Sequence, residues 1–456
     1  MKKAGNVAHE ELKQRVNDEI DRQAEHLIAL GEDIFHHPEL GFKERRTAGI
    51  VAAEFGRLGL GYLEELALTG VKTVVSESDG GPTVAVIGEL DSVLVADHPS
   101  ADPQTGAAHC CGHNAQIATM LGVASGLVRS GVLSELAGKV AFMAVPAEEY
   151  VEIDYRVGLT QADKTEFLGG KSELVRIGAF DDIDMAMMVH AATSSDPTQI
   201  GGMNTSINGF VGKQARFTGK AAHAGGAPHR GVNALYAAQL ALEAINAQRE
   251  TYKDDDTIRI HPILTRGGDL VNVIPNDVRL ETMIRGKTAE AIEDAARKVD
   301  RALRAGAIAM GAEVEISSLP GYMPLFNHQT MADLFIDNFK VFYDESAWRN
   351  DGHGTFSSDI GDISHLMPTV EPSIAGFSGA VHGSDWEITD KYLAYVLPAK
   401  LMAMTVIDLL AGGATQARQI LDDFEPRMTK DQYLAFMRRN NRKETFDGRE
   451  IGIQPR

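Results

Sequence analysis

Four apolar runs of strand length, separated by helical or polar stretches, constrain the fold of this chain most. Helical patterns at 115–130 and 171–177 lie between the later runs. Strands that alternate with helices predict parallel β-α-β units in a sheet covered by helices on both faces, so the predicted class is α/β. The runs are "VKTVVS" (71–76), "TVAVIGEL" (83–90), "KVAFMAVP" (139–146) and "DMAMMVH" (184–190).

The pattern changes near residue 207, where a second domain is predicted. Over 207–317 the segments follow the order strand, helix, strand, strand, helix, strand, which is the split β-α-β order of a small α+β domain. Helical patterns return at 330–343 and 391–411, and the last 40 residues are charged and helix-like. We therefore predict a discontinuous catalytic domain, 1–206 and 318–456, interrupted by an inserted, ferredoxin-like domain at 207–317.

Composition excludes several classes of protein. The formal charge is −20 and no basic patch stands out, which argues against a nucleic-acid partner. No run approaches about 18 apolar residues, so no transmembrane helix and no membrane partner are expected. The first residues, "MKKAGNVAHEELKQRVNDEI", lack the apolar core of a signal peptide. The two cysteines cannot make a disulfide framework, and we expect a cytoplasmic protein with reduced thiols.

Polar side chains follow the ends of the predicted strands. In an open α/β sheet, ligands bind beyond the carboxyl ends of the strands, so separate segments deliver metal-binding or acid–base side chains to one edge. These are Asp91 after the second run, Glu148 and Glu149 after the third, His190 at the end of the fourth, and Cys111 and His113 just before the helix that starts near Ala115.

The stretch "HCCGHN" (109–114) holds both cysteines of the chain and allows several interpretations. A redox pair is disfavoured because a disulfide between adjacent cysteines strains its geometry. A structural zinc clip needs four ligands from close pairs, and no second pair is present. Cys111 and His113 suit a catalytic zinc or a similar ion, since thiolate and imidazole are its preferred ligands. The alternative is a buried cysteine beside incidental histidines.

The two glutamates of "PAEE" (146–149) suggest a division of labour. Successive residues of an extended segment point to opposite sides, so one carboxylate can bind metal while the other takes a proton from a water molecule. Two solvated glutamates after a strand are the alternative. Taken singly, His190, His223 and His382 are more readily explained as incidental core or surface histidines than as functional ones, because the chain has 15 histidines.

Seven segments resemble the motifs of the M-twenty (M20) peptidase family, which includes aminoacylases, carboxypeptidase G and peptidase T, and they occur in the family's order. The similarity is greatest to the amidohydrolase branch that acts on hippurate, indole-acetyl amino acids and aminobenzoyl-glutamate. The segments are "HHPELGFKE" (36–44), "GELDSV" (88–93), "HCCGHN" (109–114), "PAEE" (146–149), "HAGGAPHRGVNAL" (223–235), "VNVIPNDVRLETMIRG" (271–286) and "SSDIGDIS" (357–364).

The resemblance implies a catalytic domain of the di-zinc exopeptidase type, with a mixed, mostly parallel sheet, and an inserted domain that serves as lid and dimerisation domain. It also implies two divalent ions per chain, zinc or manganese. Cys111 would be shared between them, with His113 and Glu149 on one side and His190 and His382 on the other. We therefore expect a homodimer or a higher homo-oligomer that forms through the inserted domain.

The resemblance also implies roles for residues beyond the metal ligands. Glu148 would be the general base, and Asp91 would orient a metal-binding histidine. His223 would stabilise the oxyanion, in this family often in the active site of the partner subunit. Asn272 and Arg285 would hold the carboxylate of the substrate, for which the planar fork of arginine is suited.

Departures from the family pattern bear on substrate and ligands. Asn114 stands where many members of the branch have Asp, whereas the aminobenzoyl-glutamate-like subgroup has Asn, and this favours an aromatic or bulky acyl group. The segment 151–167 is longer than expected and is a candidate pocket wall. The "AVHGSDW" context of His382 is unusual for the branch, so His353 and His365 are substitute ligands. Cys110 is expected to have no metal role.

The expected activity is hydrolysis of the amide bond of an N-acyl or N-aroyl amino acid by a metal-activated water. The expected substrate is a small molecule that bears a carboxylate. One alternative is a hydrolytic deaminase that releases ammonia from an aromatic amine at the same site. A further alternative, from another class, is a binding protein that no longer catalyses a reaction.

Overall fold

The computed structural model describes residues 2–78 and 80–449, with side chains in the first helix from His9 onward. The chain folds into two compact units. Of the described residues, the first comprises those up to Ser206 with Phe326–Gly352 and Asp362–Met428, and the second comprises Ile207–Leu325, His353–Gly361 and 429–449. The stretches 318–325, 353–361 and 429–449 thus lie with the second unit, whereas the sequence predicts them in the catalytic domain.

Helices and strands alternate along most of the described chain. The α-helices are α1 (Lys2–Arg22), α2 (Ala24–Phe35), α3 (Arg45–Arg57), α4 (His113–Ser130), α5 (Ile153–Gln161), α6 (Gly170–Arg176), α7 (Ala234–Ala247), α8 (Ala289–Met310), α9 (Gln329–Phe339), α10 (Ile360–Ser364), α11 (Leu397–Asp423) and α12 (Lys430–Asn440). The strands are β1 (Leu63–Leu66), β2 (Gly70–Val75), β3 (Thr83–Glu89), β4 (Val93–Leu94), β5 (Ala107–Ala108), β6 (Lys139–Val145), β7 (Met185–Met187), β8 (His190–Thr193), β9 (Gly201–Ile207), β10 (Gly209–Thr218), β11 (Arg259–Arg266), β12 (Asp277–Gly286), β13 (Glu313–Pro320), β14 (Leu325–Phe326), β15 (Trp348–Gly354), β16 (Thr369–Val370), β17 (Ser373–Ser378), β18 (Glu387–Ile388) and β19 (Arg442–Asp447).

The main sheet of the first unit has the strand order β1-β2-β6-β3-β7-β16. β3 runs parallel to β6 and β7, and β16 runs parallel to β7, whereas β2 is antiparallel to β6. Every residue of β3 is buried, as its apolar run predicts. The predicted α/β class with a mixed, mostly parallel sheet is therefore confirmed, and the carboxyl ends of β3 and β6 lie side by side.

A second sheet of the first unit positions the fourth predicted strand end. Its path is β14-β9-β17-β18, with β15 paired to β9 and β8 paired to β17. β8 and β17 are parallel, and His190 lies opposite Ser373. The run "DMAMMVH" is therefore divided between two sheets: β7 covers Met185–Met187, Met188 and Val189 are also buried, and His190 begins β8.

The longest apolar helical stretch is Tyr392–Asp423, a π-helical turn followed by α11. By length and composition it is long enough to cross a membrane, and 94% of its most apolar window is buried inside the fold. Its helix is broken at Ala411–Ala414, where three residues have positive φ angles. Such burial is typical of a core helix, and α11 packs against α1, α4 and α9.

The second unit contains a five-stranded antiparallel sheet of order β11-β12-β10-β13-β19. The helices α7 and α8 pack on each other and on this sheet. The predicted β-α-β-β-α-β order of an α+β domain is thus present. The helix-like prediction for the end of the chain was right only in part. Thr429 starts α12 with a capping box, but Arg442–Asp447 then forms β19, because the exposed edge of β13 offers it a hydrogen-bonding partner.

Candidate metal centre

The ends of β3 and β6 and the start of β8 bring the predicted metal-binding side chains of the first unit together. The turn into α4 depends on Gly112, whose φ is 88°. A Cβ at this position would lie 2.4 Å from the Cβ of Ala191, so no other residue fits without a shift. The turn places Cys111 and His113 on either side of this glycine, next to His190 on β8.

Three triads of potential metal ligands occur in this region, each with its ligand atoms within 4.8 Å of one another. Cys111 belongs to two of them, which is the arrangement expected for a ligand shared by two ions. Its Sγ lies 3.5 Å from Nε2 of His190. The triads are Cys111–His113–His190, Cys111–Glu149–His382 and Glu89–His113–Glu148.

The grouping of the histidines differs from the expected one. We expected His113 beside Glu149 and His190 beside His382. Instead His190 shares a triad with His113, and the two rings are 6.2 Å apart. Nε2 of His382 lies 3.0 Å from Oε1 of Glu149. The difference arises from the fold: His190 begins a strand beside the start of α4, whereas the His382 N–H donates to the carbonyl of Cys110.

Asp91 connects His113 with the loop that carries the two glutamates. Nδ1 of His113 lies 2.9 Å from the backbone oxygen of Asp91 and 3.3 Å from its Oδ1. The backbone N–H of Glu149 donates to Oδ2 of Asp91 at 2.9 Å. Nδ1 is thus engaged away from the triads and Nε2 faces them, which is how a carboxylate behind a histidine fixes its orientation.

Glu148 and Glu149 are both buried and face different triads. Oε2 of Glu148 lies 3.8 Å from Nε2 of His113. Glu149 instead approaches His382, as described above. The two adjacent carboxylates therefore have different neighbours, as the extended segment at 146–149 predicts.

Arg156 of α5 holds the backbone of this loop. Its side chain is almost fully buried, with 1% of the residue exposed. It donates to the carbonyl oxygens of Ala147 at 3.1 Å and Leu168 at 2.7 Å, and by a shorter contact to that of Glu149. Ala147 has a φ of 56°, which is costly for a residue with a Cβ, and its N–H donates to Glu44 at 2.8 Å. Arg156 and Glu44 thus hold a strained segment in place.

The charges of the triads are complementary. Burial raises the pKa of the Cys111 thiol and so does Glu149, but His190 and His113 outweigh them and lower it to about 6. Burial lowers the pKa of His190, but Cys111 outweighs it and raises this pKa to about 9. Burial likewise opposes the charged form of His382, but Glu149 raises its pKa to about 10. Without ions, a thiolate therefore lies among protonated imidazoles at neutral pH.

Buried atoms without hydrogen bonds indicate where cations fit. Among the described residues these include Nε2 of His113, Oε1 of Glu149 and Oδ1 of Asp91. A buried polar atom that lacks a partner is costly unless an ion or ligand satisfies it. Thiolate, imidazole and carboxylate together suit zinc or a related divalent ion. The donor set therefore fits a pair of divalent cations.

The histidines considered as substitutes for His382 lie elsewhere. Nε2 of His353 is 2.8 Å from Oδ1 of Asn208 within the second unit, and the ring of His365 packs against Phe326. Neither histidine belongs to a triad among the described residues. His382 does belong to a triad, with Cys111 and Glu149, although 47% of its side chain is exposed and its backbone is left-handed, with a φ of 60°.

The remaining predicted residues lie in the second unit. Nδ1 of His223 accepts hydrogen bonds from the N–H groups of Gly225 at 3.2 Å and Gly226 at 3.0 Å, so the ring proton of a neutral imidazole is on Nε2. The carbonyl of Asn272 accepts from the N–H of Ala224 at 2.9 Å, which brings the loops of His223 and Asn272 together.

Arg285 lies on β12, in the same sheet. Its Nη1 donates to the hydroxyl of Ser357 at 2.9 Å, and its guanidinium lies 5.6 Å from the centre of the Phe210 ring. Each of the three predicted residues of this unit is therefore held by local contacts.

Sequence reasoning missed Glu89, Lys171 and Arg156. Glu89 lies two residues before Asp91 in an extended segment, so alternation alone would have placed it on the same side. Arg156 belongs to the segment 151–167, a candidate pocket wall, which contains α5. No local pattern marks Lys171, whose Nζ donates a hydrogen bond to Oε1 of Glu89 across the fold.

Comparison with known proteins agrees with this arrangement. Residues 205–310 match the family described as peptidase dimerisation domain. The chain is 29% identical to the Xaa-Arg dipeptidase of Mus musculus, over 93% of this chain and 94% of that one. It is 23% identical to the N-acyl-L-amino acid amidohydrolase of Geobacillus stearothermophilus, over 69% and 82% of the two chains.

A solved structure shares the fold. It is the YXEP protein of Bacillus subtilis, described as a dinuclear metal-binding peptidase of the M20 family, with a TM-score of 0.62 and 19% identity over 86% of this chain and 99% of that one. The motifs, the dimerisation domain and the relatives agree on one assignment. The chain resembles the M20 family of peptidases and amidohydrolases, and it is an enzyme that hydrolyses C–N bonds.

Proposed function

We propose that this protein uses two divalent metal ions, zinc or manganese, to hydrolyse the amide bond of an N-acyl or N-aroyl amino acid. The observation that carries the proposal is the pair of triads that share Cys111, with the carboxylate of Glu148 beside them. The names of the relatives support the substrate class, since both describe hydrolysis next to an amino acid.

The proposed ligands follow the triads. His113 and His190 would hold one ion, Glu149 and His382 would hold the other, and Cys111 would contribute to both. Asp91 keeps Nε2 of His113 directed at its ion through the contacts at Nδ1. Arg156 and Glu44 keep the loop of the two glutamates in its strained conformation.

The reaction then divides among the side chains. The ions, when bound, polarise the scissile carbonyl and lower the pKa of water. Glu148 accepts a proton from the attacking water and passes it to the leaving nitrogen. Its burial near His113 keeps bulk water from competing for that proton. His223 donates a hydrogen bond from Nε2 to the developing oxyanion, which is possible because Nδ1 is already an acceptor.

The amino-acid part of the substrate presents a carboxylate. Asn272 and Arg285 are the residues that we propose for binding it, because a guanidinium can grip a carboxylate through two parallel hydrogen bonds. The relative named Xaa-Arg dipeptidase extends the class of candidate substrates to dipeptides whose acyl group is itself an amino acid. Such a dipeptide contains the same amide bond and the same terminal carboxylate.

A second copy of the chain is the proposed partner. β11 is an edge strand whose Ile263 and Leu264 are exposed, and α7 exposes Tyr236 and Leu240. Exposed apolar side chains on an unpaired edge favour association with another chain. The match to a dimerisation domain over 205–310 includes both elements. We propose a cytoplasmic homodimer, or a higher homo-oligomer built on the same contact.

The test uses the full chain, freed of metal by chelation and then reconstituted with zinc or manganese. N-acyl and N-aroyl amino acids, Xaa-Arg dipeptides and aromatic amines are supplied in turn, and released amino acid and ammonia are measured separately. We expect amino-acid release that depends on added metal. Full activity after exhaustive chelation would refute the proposal, and release of ammonia alone would establish the deaminase alternative.

A further inference from the structure

Glu89 is a buried carboxylate at the centre that the proposed mechanism does not use. It is the last residue of β3, and 1% of it is exposed. Its Oε1 accepts a hydrogen bond from Nζ of Lys171 at 2.5 Å, and its Oε2 accepts from Nε2 of Gln116 at 2.9 Å. Gln116 also accepts from the N–H of Glu89 at 3.1 Å, so the carboxylate is fixed from two directions.

Burying this ion pair is costly. Lys171 is fully buried, and removing two charges from water carries a large desolvation penalty. Apolar residues of similar volume would stabilise a fold at least as well. An ion pair kept at this cost beside the metal triads therefore suggests a role in the centre and not only in folding.

The free side of Oε2 faces Nε2 of His113 at a distance of 2.9 Å. Despite this short distance, Nε2 of His113 makes no hydrogen bond of acceptable geometry, so the oxygen lies off the N–H direction of the ring. Two ligands that each lie about 2.1 Å from one ion, at right angles, are about 3 Å apart. The separation of Oε2 and Nε2 is thus that of neighbouring ligands of a single cation.

We propose that Glu89 is a further ligand, through Oε2, of the ion that His113 binds. Lys171 holds Oε1 and so restricts Glu89 to binding through one oxygen. Lys171 also neutralises the added charge, so Glu89 contributes an oxygen without making the centre more negative. This inference rests on the proposed function, because it concerns the same pair of ions.

The test compares Glu89→Gln with Glu173→Gln. Glu173 is a matched control: it is also a buried carboxylate, it is paired with Arg176, and it lies on α6 with Lys171, but it belongs to no triad among the described residues. Bound ions per chain are counted after equilibration at a series of buffered free metal concentrations. The absorption spectrum of the cobalt-loaded protein reports coordination number independently of activity, because its bands strengthen when a ligand is lost.

We expect wild type and Glu173→Gln to bind two ions, and Glu89→Gln to bind one of them about tenfold or more weakly, with stronger cobalt bands. Lys171→Met should keep both ions, since the carboxylate remains. Equal binding of both ions by wild type and Glu89→Gln would overturn the inference. So would an equal loss in Glu89→Gln and Lys171→Met, which would make Glu89 a structural partner of Lys171 only.

Two further results separate this inference from the proposed function. If Glu89→Gln does not fold, Glu89→Asp replaces it, because it keeps the charge beside Lys171 and withdraws the oxygen from His113. The same comparison of metal affinities and cobalt spectra, now with Glu89→Asp, then tests whether Glu89 is a ligand. A wild-type protein that binds no ions would refute the proposed function itself, whereas a two-ion wild type with an unaffected Glu89 variant refutes only the role of Glu89.

Discussion

Nε2 of His382 lies 3.0 Å from Oε1 of Glu149, while the preceding Glu148 faces His113 at 3.8 Å. Two adjacent glutamates thus meet two histidines of different triads. A single extended segment produces this arrangement, because its side chains alternate in direction. It allows one carboxylate to bind metal while its neighbour moves a proton, and the two roles can be separated by mutation.

Replacing Glu148 by Gln is predicted to abolish most turnover without loss of metal. The amide has nearly the same shape but cannot accept the proton, and general-base catalysis contributes about 10²- to 10⁴-fold to a rate. We expect kcat to fall by about that factor while metal analysis still finds two ions. The matched variant Glu149→Gln should instead lose an ion. Undiminished turnover in Glu148→Gln would exclude Glu148 as the base.

The adjacent cysteines provide an internal control for the shared ligand. Cys111 belongs to two triads, whereas Cys110 is fully buried in the hydrophobic core cluster. Cys111→Ala is therefore predicted to lose bound metal and activity together, because neither ion keeps its shared donor. Cys110→Ala should retain both ions and lose only some thermal stability, as expected for a small cavity. If Cys111→Ala bound two ions as tightly as wild type, the thiolate would not be a ligand.

Metal loading is predicted to release protons at neutral pH. In the metal-free protein the pKa of His190 is about 9 and that of His382 about 10, while that of Cys111 is about 6. At pH 7 both imidazoles carry a proton that an ion must displace, whereas the thiol is already ionised. The affinity of the protein for its metal ions should therefore rise with pH between about 7 and 10. Calorimetric titrations in buffers of different ionisation enthalpy measure the protons released; identical heats in all buffers would contradict the prediction.

The same pKa values predict a pH dependence of stability without metal. Both histidines have folded pKa values above the unfolded value of 6.5, so protonation favours the folded state. This contribution is complete below pH 6.5 and is lost as the pH rises through 9 and 10. The melting temperature of the chelated protein should fall in that range, and less steeply in His190→Gln.

Arg285→Ala is predicted to affect substrates according to their charge. If the guanidinium binds the carboxylate of the substrate, its removal should raise KM for N-acyl amino acids and leave KM for the corresponding amino-acid amides nearly unchanged. Loss of a charge-assisted hydrogen bond corresponds to about 1.5–3 kcal/mol, or roughly 10- to 100-fold in kcat/KM. An equal rise in KM for charged and uncharged substrates would show that Arg285 has only a structural role.

The sequence predicts at which edge of the main sheet the metal-binding side chains lie, because the end of each strand is a local feature of the chain. The runs before Asp91 and Glu148 are continuously apolar, so their burial and the position of the next polar residue are fixed by neighbours in the chain. The β-α-β-β-α-β order of the second unit was predictable for the same reason. Element order depends on periodicity and turns, both of which are visible over short windows.

Contacts across the fold were not predictable in this way. Lys171 and Glu89 are separated by 82 positions, and nothing near either residue indicates the other. The distribution of the histidines between the triads also depends on which sheet β8 joins. β19 shows the same limit, since a segment in which Phe446 is the one apolar residue forms a strand only because β13 offers an open edge.

Arg156 provides the last prediction, because it supports the centre without belonging to a triad. Its guanidinium donates to the carbonyls of Ala147, Glu149 and Leu168, and it is buried. Arg156→Lys keeps the charge but can satisfy fewer of these acceptors, and Arg156→Met keeps only the packing. Since a buried carbonyl that loses its donor costs about 1–3 kcal/mol, both variants should relax Ala147 from its left-handed conformation and let Glu148 and Glu149 move.

We expect kcat to fall in the order wild type, Arg156→Lys, Arg156→Met, with KM changing little, because the binding groups of the substrate are untouched. Affinity for the ion of Glu149 should fall in the same order, which metal titration measures independently of turnover. Lys164→Met, on the loop after α5 and in no triad among the described residues, is the control for changes in surface charge. Arg156 variants with wild-type kcat and metal affinity but lowered melting temperature would assign Arg156 to folding alone.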